Sequence, residues 1–447
     1  MKKANVLIAL CAFLFSTVAV FAQSNLAAQY RSGMLPMFLE YVQIGSMSDY
    51  KAEWMTPGQK KMAKRLYQDI VPFGFPTYFS EDKYIYVNIP SNLTSRQAPR
   101  LGLSVHYDTT PDIIGENIHP QVIKNYNGKP IHLKHNNVVI DPNDPDNTAN
   151  AYLKRLIGQT IVTADGTTNL GADDKAGVVI MMTLIKTLAE NPQLPHGDID
   201  IVFTPNEDVG RSAERLDINY YKPDYAFDFD ASVDGEVIVG NFSADRIVIR
   251  AQAVPGHQSY AAENGYRNAV DPIAFITAYT ARPHNLPNRS TGKQGYIEPR
   301  HDLEQEASSD YVAFHYRYFN QRDGKRWHRR LDRAIKIAEK MFDVKITKEV
   351  TKQYENVKCG VKPEIKQIAQ AAMDAAGVTP RYVEERAGTT IAMMMAKYGF
   401  GGYTFFTGQV NPHKDQEWLS EYDMFKAYEV ALNLVHEVAQ MKVQPTK

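Results

Sequence analysis

Strand-like runs alternate with helical ones along most of this chain, and that alternation narrows its fold more than any other feature. Asp198–Thr204 reads as a buried strand with Ile199, Ile201 and Phe203 on one face. Tyr84–Ile89 and Leu101–Val105 are equally rich in β-formers, and Tyr225–Phe229 and Glu236–Val239 follow as strands. Asp173–Glu190 reads as a helix with an acidic start. Residues 26–70 read as helical, with Ala27, Tyr30, Met34, Phe38 and Val42 at helical spacing and Pro57 suited to a first turn. Pro363–Ala376 and Tyr422–Met441 are further helices. Strands alternating with helices predict an α/β fold, a three-layer sandwich.

Residues 242–354 differ in character. Strands at Arg246–Val254, Tyr311–Phe319 and Val344–Tyr354 are separated by helices at Asn268–Thr280 and Arg326–Phe342, the order of a small α+β domain. The expected organisation is therefore discontinuous: 23–241 and 355–447 form the main domain, and 242–354 is inserted into it. Pro111–Leu156, rich in Asn, Asp, Pro and Gly, reads as a long loop region, and such loops are more often functional than idle.

Residues 1–22 have a basic start, an apolar run from Val6 to Phe21 and a small residue at Ala22. That run is too short for a confident span, which needs about 20 apolar residues, but it fits an export signal cleaved after Ala22. The expected location is periplasmic or secreted, with no membrane span in the mature chain. Of the 2 cysteines, Cys11 leaves with the signal and Cys359 stands alone, so neither an internal disulfide nor a cysteine-based zinc site is expected. A formal net charge of −1 gives no reason to expect nucleic acid or anionic membrane as a partner.

The candidate chemistry lies where strands run out. His106 and Asp108 follow the strand LGLSV, and residues two apart on a strand share a side. A metal on His106 would leave its other ring nitrogen for Asp108. Asp173 and Asp174 open a helix, where carboxylates either cap or bridge cations. Glu207 and Asp208 follow DIDIVFTP; adjacent carboxylates there form an acidic turn, or one binds metal while the other moves protons. Asp230 ends YAFDF, with Asp228 two residues earlier, so either could face a site. His413 follows the strand YTFFTG in a loop of its own. Carboxyl ends of strands in open α/β sheets are where ligands gather. Together these residues supply five ligand candidates and a spare carboxylate.

The stretches SVHYDTTPD, TTNLGADDKAGV, FTPNEDVG, AFDFDAS and NPHKDQEW resemble peptidase T and its dinuclear zinc metallopeptidase clan, which includes carnosinase, aminoacylase and glutamate carboxypeptidases. The resemblance spans nearly all of the mature chain, and ADGTT at Ala164–Thr168 narrows it toward peptidase T. It implies two zinc ions, with cobalt or manganese as substitutes. His106 and Asp230 would hold one ion, His413 and Asp208 the other, and Asp173 would bridge them. Asp108 would support His106, Glu207 would be the general base, and the Asp173–Asp174 peptide would be cis. The inserted domain would act as a lid that also pairs two copies of the chain. It would bring His257 to the oxyanion and Arg317 to the substrate's carboxylate, a structural ion pair being the other reading of Arg317. The implied activity is release of the N-terminal residue of short peptides, above all tripeptides, by a metal-bound hydroxide. Mixed nitrogen and oxygen ligation suits zinc.

Four departures stand out. The family's Glu-Glu pair is Glu207-Asp208, one methylene shorter at the second position. Its Gly-Gly-Thr-Asp-Gly loop is Ala387-Gly388-Thr389-Thr390-Ile391. Its His-Pro-Gly around the lid histidine is Gly-His-Gln-Ser. Peptidase T is usually cytoplasmic, whereas residues 1–22 here read as an export signal. The same metal core also serves dipeptidases, carboxypeptidases and N-acyl amino acid deacylases. A silent peptide-binding protein would lack Glu207 or a ligand, and every such position is filled.

Overall fold

The computed structural model describes residues 24–253, 268–280, 296–301 and 309–442. Residues 1–22, read from the sequence as an export signal, and His257 lie outside the described residues. Two helices, α1 (24–42) and α2 (Pro57–Ile70), open the fold. The sequence pattern reads 26–70 as helical, with Pro57 in a helix's first turn, where α2 does begin; residues 43–56 between the two helices are not helical. There Ser46 and Ser48 instead hydrogen-bond the backbone oxygens of Tyr107 and Thr109, and Thr56 caps α2 through the Gln59 amide.

The main sheet has eight strands: β1 (Thr77–Phe79), β2 (Ile85–Ile89), β3 (Leu101–His106), β4 (Ile199–Thr204), β5 (Tyr225–Ala231), β6 (Glu236–Asn241), and, later in the chain, β11 (Arg381–Glu385) and β12 (Gly402–Phe406). Their spatial order is β1-β2-β4-β3-β5-β12-β6-β11. The central β4, β3, β5 and β12 are mutually parallel. Period-two alternation sends Ile199, Ile201, Phe203, Phe227 and Phe405 to one face, where α3 (Ala172–Glu190), α6 (Pro363–Ala375) and α8 (Glu421–Gln440) close the largest core. Val202, Tyr84, Tyr86 and Ala226 face the other way, onto α7 (Thr390–Tyr398). Helices therefore cover both faces, which is the α/β sandwich expected from the pattern. Each fully buried side chain of this size contributes about 1.5–3 kcal/mol.

Helix α3 is apolar around most of its circumference, as a helix buried on all sides must be. It approaches β5 so closely that a Cβ at Gly177 would lie 2.5 Å from the Phe229 carbonyl oxygen and 2.4 Å from Asp174 Oδ1. Glycine is what allows the start of this helix to sit directly beneath the ends of the strands.

A second, antiparallel sheet of order β8-β9-β7-β10 is built from β7 (Ser243–Gln252), β8 (Tyr296–His301), β9 (Ser309–Tyr318) and β10 (Lys345–Tyr354), accompanied by α4 (Val270–Thr280) and α5 (Gln321–Phe342). The sequence pattern missed β8. It also treats Ala387–Ile391 as loop, whereas Thr389 caps α7 through the Ala392 amide, so Thr390 and Ile391 belong to that helix. The region 111–156 has only short elements, among them a helical turn at Thr148–Arg155. No helix among the described residues is long and apolar enough to cross a membrane.

Candidate metal centre

Five segments meet at the carboxyl edge of the main sheet. His106 is the last residue of β3 and is 1% exposed. Its Nδ1 lies 3.1 Å from the backbone oxygen of Asp108. A carbonyl can only accept, so Nδ1 carries the proton and Nε2 turns its other side inward. There it meets Asp173 Oδ1 at 3.1 Å and Asp230 Oδ1 at 3.6 Å.

The carboxylate of Asp108, expected to hold His106, sits 3.4 Å from that Nδ1, farther than the backbone oxygen. It accepts instead from the backbone amides of Glu207 at 2.9 Å and Asp208 at 3.2 Å. Asp108 thus fixes the turn after β4 as well as lying against the imidazole. Asn206 begins that turn in the left-handed region, with φ of 59°. Its side chain accepts from Gln59 on α2 and donates to the Trp54 backbone oxygen.

Asp173 occupies the first turn of α3, and its peptide bond to Asp174 is cis. One of its oxygens faces His106, and the other lies 3.3 Å from His413 Nε2. His413 Nε2 also lies 2.7 Å from Asp208 Oδ1, and its Nδ1 is 3.7 Å from Asp112. The ligand candidates thus fall into two sets that share Asp173. Clusters compatible with a metal ion include Asp173, Asp208 and His413, and also His106, Asp174 and Asp230. Asp174 is already committed, accepting from the His106 and Gly177 amides. Asp228 takes the Ser104 hydroxyl at 2.6 Å, below the site, which leaves Asp230 as the carboxylate lining the cleft.

Such a density of buried carboxylates needs compensating positive charge. Burial raises Glu207 well above the ordinary carboxylate range, reinforced by Asp230 and Asp208. Burial and the charge of Asp173 push Asp208 up to about 7 and Asp230 up to about 6. Burial opposes charge on His413, yet Asp173 and Asp208 push it up to about 12. Burial would also raise Asp173, but the two histidines hold it well below its usual range. Asp208 Oδ2 is buried with no hydrogen-bond partner. A nitrogen facing carboxylate oxygens at these distances requires a proton or a cation between them. Mixed imidazole and carboxylate donors in two sets sharing one carboxylate fit a pair of zinc-like ions.

The centre opens into a cleft of about 740 Å³. Glu207 and Asp208 line it on one side, and Arg246, His315, Arg317, Gln353 and Tyr354 of the second sheet line it on another. Arg317 is 8% exposed and donates to the Tyr316 backbone oxygen and to Gln353. It packs on the Tyr354 ring. No salt bridge joins it to a carboxylate among the described residues. The altered loop contributes Ala387, Gly388 and Thr389 to the same wall.

Sequence reasoning missed Glu417, which is fully buried and accepts three backbone amides from the Asp173 loop. Its only local signal was a carboxylate directly before the apolar Trp418-Leu419, with nothing to say what it would meet.

The model of Peptidase family M20/M25/M40 matches residues 171–437. Peptidase T of Halothermothrix orenii is 32% identical over 412 residues, which covers 89% of this chain and 97% of that protein. Among solved structures, aminopeptidase PepT of Bacillus cereus superposes with a TM-score of 0.66 at 20% identity, covering 92% of this chain and 99% of its own. The YXEP protein of Bacillus subtilis, described as a dinuclear metal binding peptidase, superposes with a TM-score of 0.58 at 12% identity, over 93% of this chain and 99% of its own. At these identities the solved structures show a shared fold.

Proposed function

The chain belongs to Peptidase family M20/M25/M40, and from that membership we propose that it is a dinuclear metal-dependent aminopeptidase of the peptidase T kind. Its substrates would be short peptides, tripeptides above all. The observation that carries the proposal is the placement of Asp173, with one carboxylate oxygen 3.1 Å from His106 and the other 3.3 Å from His413. A carboxylate presented to two histidines from opposite sides is what a bridged pair of ions requires.

His106 and Asp230 would hold one ion, His413 and Asp208 the other. Two zinc ions, or cobalt or manganese in their place, would supply Lewis acidity toward the scissile carbonyl and lower the pKa of a water. The chain's own residues do the rest. Glu207, half-buried at the cleft wall with its backbone held by Asp108, takes the water's proton and returns it to the leaving amine. Arg317, buried in the cleft wall and held there by the Tyr316 backbone oxygen and Gln353, receives the carboxylate end of the peptide. Because it comes from the second sheet, closure of that part over the substrate would exclude water. His257 is proposed for the oxyanion on the resemblance alone.

The test is a substrate panel: zinc-, cobalt- and manganese-loaded enzyme on di-, tri- and tetrapeptides, free and N-acetylated. Tripeptides with a free amino end should be cleaved fastest, releasing the first residue. Turnover of N-acetylated substrates alone would replace this activity with deacylation, and no turnover of any would remove it. The same purified protein answers two further parts of the proposal. Its N-terminal residue after export should be Gln23, and its mass in solution should be that of a dimer. An intact Met1 or a monomer's mass would remove the respective part.

A further inference from the structure

The two histidines of the centre are supported in different ways. His106 ends β3, whose backbone is paired on both sides, to β4 and to β5. Its own amide donates to Asp174. His413 stands in a loop, with φ of 63°, between the short strands Gln409–Val410 and Trp418–Ser420. One side of that loop is held by Asn150, which accepts from Asn411 Nδ2 at 2.8 Å and from Trp418 Nε1 at 3.1 Å.

The other side is held by Glu417. Its Oε2 accepts from the backbone amides of Leu170 at 2.8 Å and Gly171 at 2.7 Å, and its Oε1 from that of Asp173 at 2.9 Å. Amides converging at a helix start form an anion-binding nest. Here the anion is built into the chain and fully buried. One carboxylate therefore ties the backbone of Asp173 to the loop that carries His413.

We infer that Glu417 is a positioning residue that sets the His413 side of the centre, so that the ion held by His413 depends on it and the ion held by His106 does not. The inference rests on the two-metal proposal above. Asp173 meets His106 on a strand end held by its ladder, whereas it reaches His413 only if two loops keep a fixed separation. Removing the tie loosens that separation and leaves the His106 set standing.

The experiment is calorimetric titration of metal-free protein with Zn²⁺, with far-UV circular dichroism to establish folding. Wild type should take up two ions in two steps, and His413→Ala identifies which step belongs to His413. Glu417→Gln keeps size and shape but places an NH₂ against amide donors. It should weaken the His413 step by about 10–100-fold, the usual effect of losing a group that orients a ligand, and leave the other step unchanged. Asn411→Gly loosens the same loop from its other side while tolerating the left-handed backbone of that residue, whose φ is 57°. It should show the same one-sided loss, and it carries the test if Glu417→Gln is recovered unfolded. A folded Glu417→Gln with both steps unchanged, or both weakened alike, overturns the inference; so does an unaffected His413 step in Asn411→Gly should that variant have to decide. Wild type binding fewer than two ions instead overturns the two-metal proposal itself.

Discussion

Replacing Glu207 by Gln should leave a folded protein that still binds two metal ions but turns over its peptide about 10²–10⁴-fold more slowly, the usual contribution of a positioned general acid–base. Metal should be retained because Glu207 belongs to neither ligand set: His106 and His413 face Asp173, Asp230 and Asp208. Folding should be retained because Asp108 holds residue 207 through its backbone amide, which the substitution leaves in place. The change removes a carboxylate that lines the cleft beside the centre and belongs to neither ligand set. Its environment also suits the role, since burial and the charges of Asp230 and Asp208 raise its proton affinity well above that of a free glutamate. The measurement is kcat and KM on the best tripeptide, with metal content determined on the same sample. Turnover within a few-fold of wild type would remove Glu207 as the base.

Stripping the metal should abolish turnover completely and lower thermal stability at the same time. Without cations, Asp173, Asp208, Asp230 and Glu207 are gathered around His106 and His413, and burial penalises every one of the carboxylates. Ions that bind only the folded state add to its stability, by about 2.7 kcal/mol per site at a hundredfold excess over Kd. Protons compete for the same groups. Asp208 and Asp230 hold protons up to about pH 7 and 6 in the metal-free centre, and a ligand must release its proton to bind metal. Metal affinity should therefore fall as pH drops through 7 and 6, and rise again above. Chelator-treated protein, verified metal-free, should regain activity with zinc, cobalt or manganese. Full activity in the verified metal-free state would exclude metal dependence.

Much of this centre was legible because its parts are local. The strand ends that carry His106, Glu207-Asp208 and Asp230 are marked by apolar β-runs stopping at polar residues, and the observed β3, β4 and β5 stop within two residues of the expected positions. The α/β alternation was equally plain, since a period of two or of 3.6 is written into each segment on its own. What escaped was whatever depends on a distant partner. β8, Tyr296–His301, has a Pro within it and no alternation strong enough to mark a strand, yet it pairs along β9. α7 starts at Thr390 because Thr389 caps it, and its Ile391 and Met394 join Tyr84 and Val202 in the core on that face of the sheet.

By itself, then, the sequence determined the layered α/β class, the residue types available to hold metal, and the order in which they arrive along the chain. Tertiary structure decided which of them face one another. That Asp173 lies between two histidines, one of them 67 residues away, is set by how α3 docks under the strand ends. That Asp108 spends its carboxylate on the Glu207-Asp208 turn, and that Glu417 reaches 244 residues back to the amide of Asp173, follows from loops closing across the sheet. The physical reason is the same in each case. Secondary structure answers to neighbours a few residues off, whereas a buried charge must find its partner wherever the packed chain has placed one.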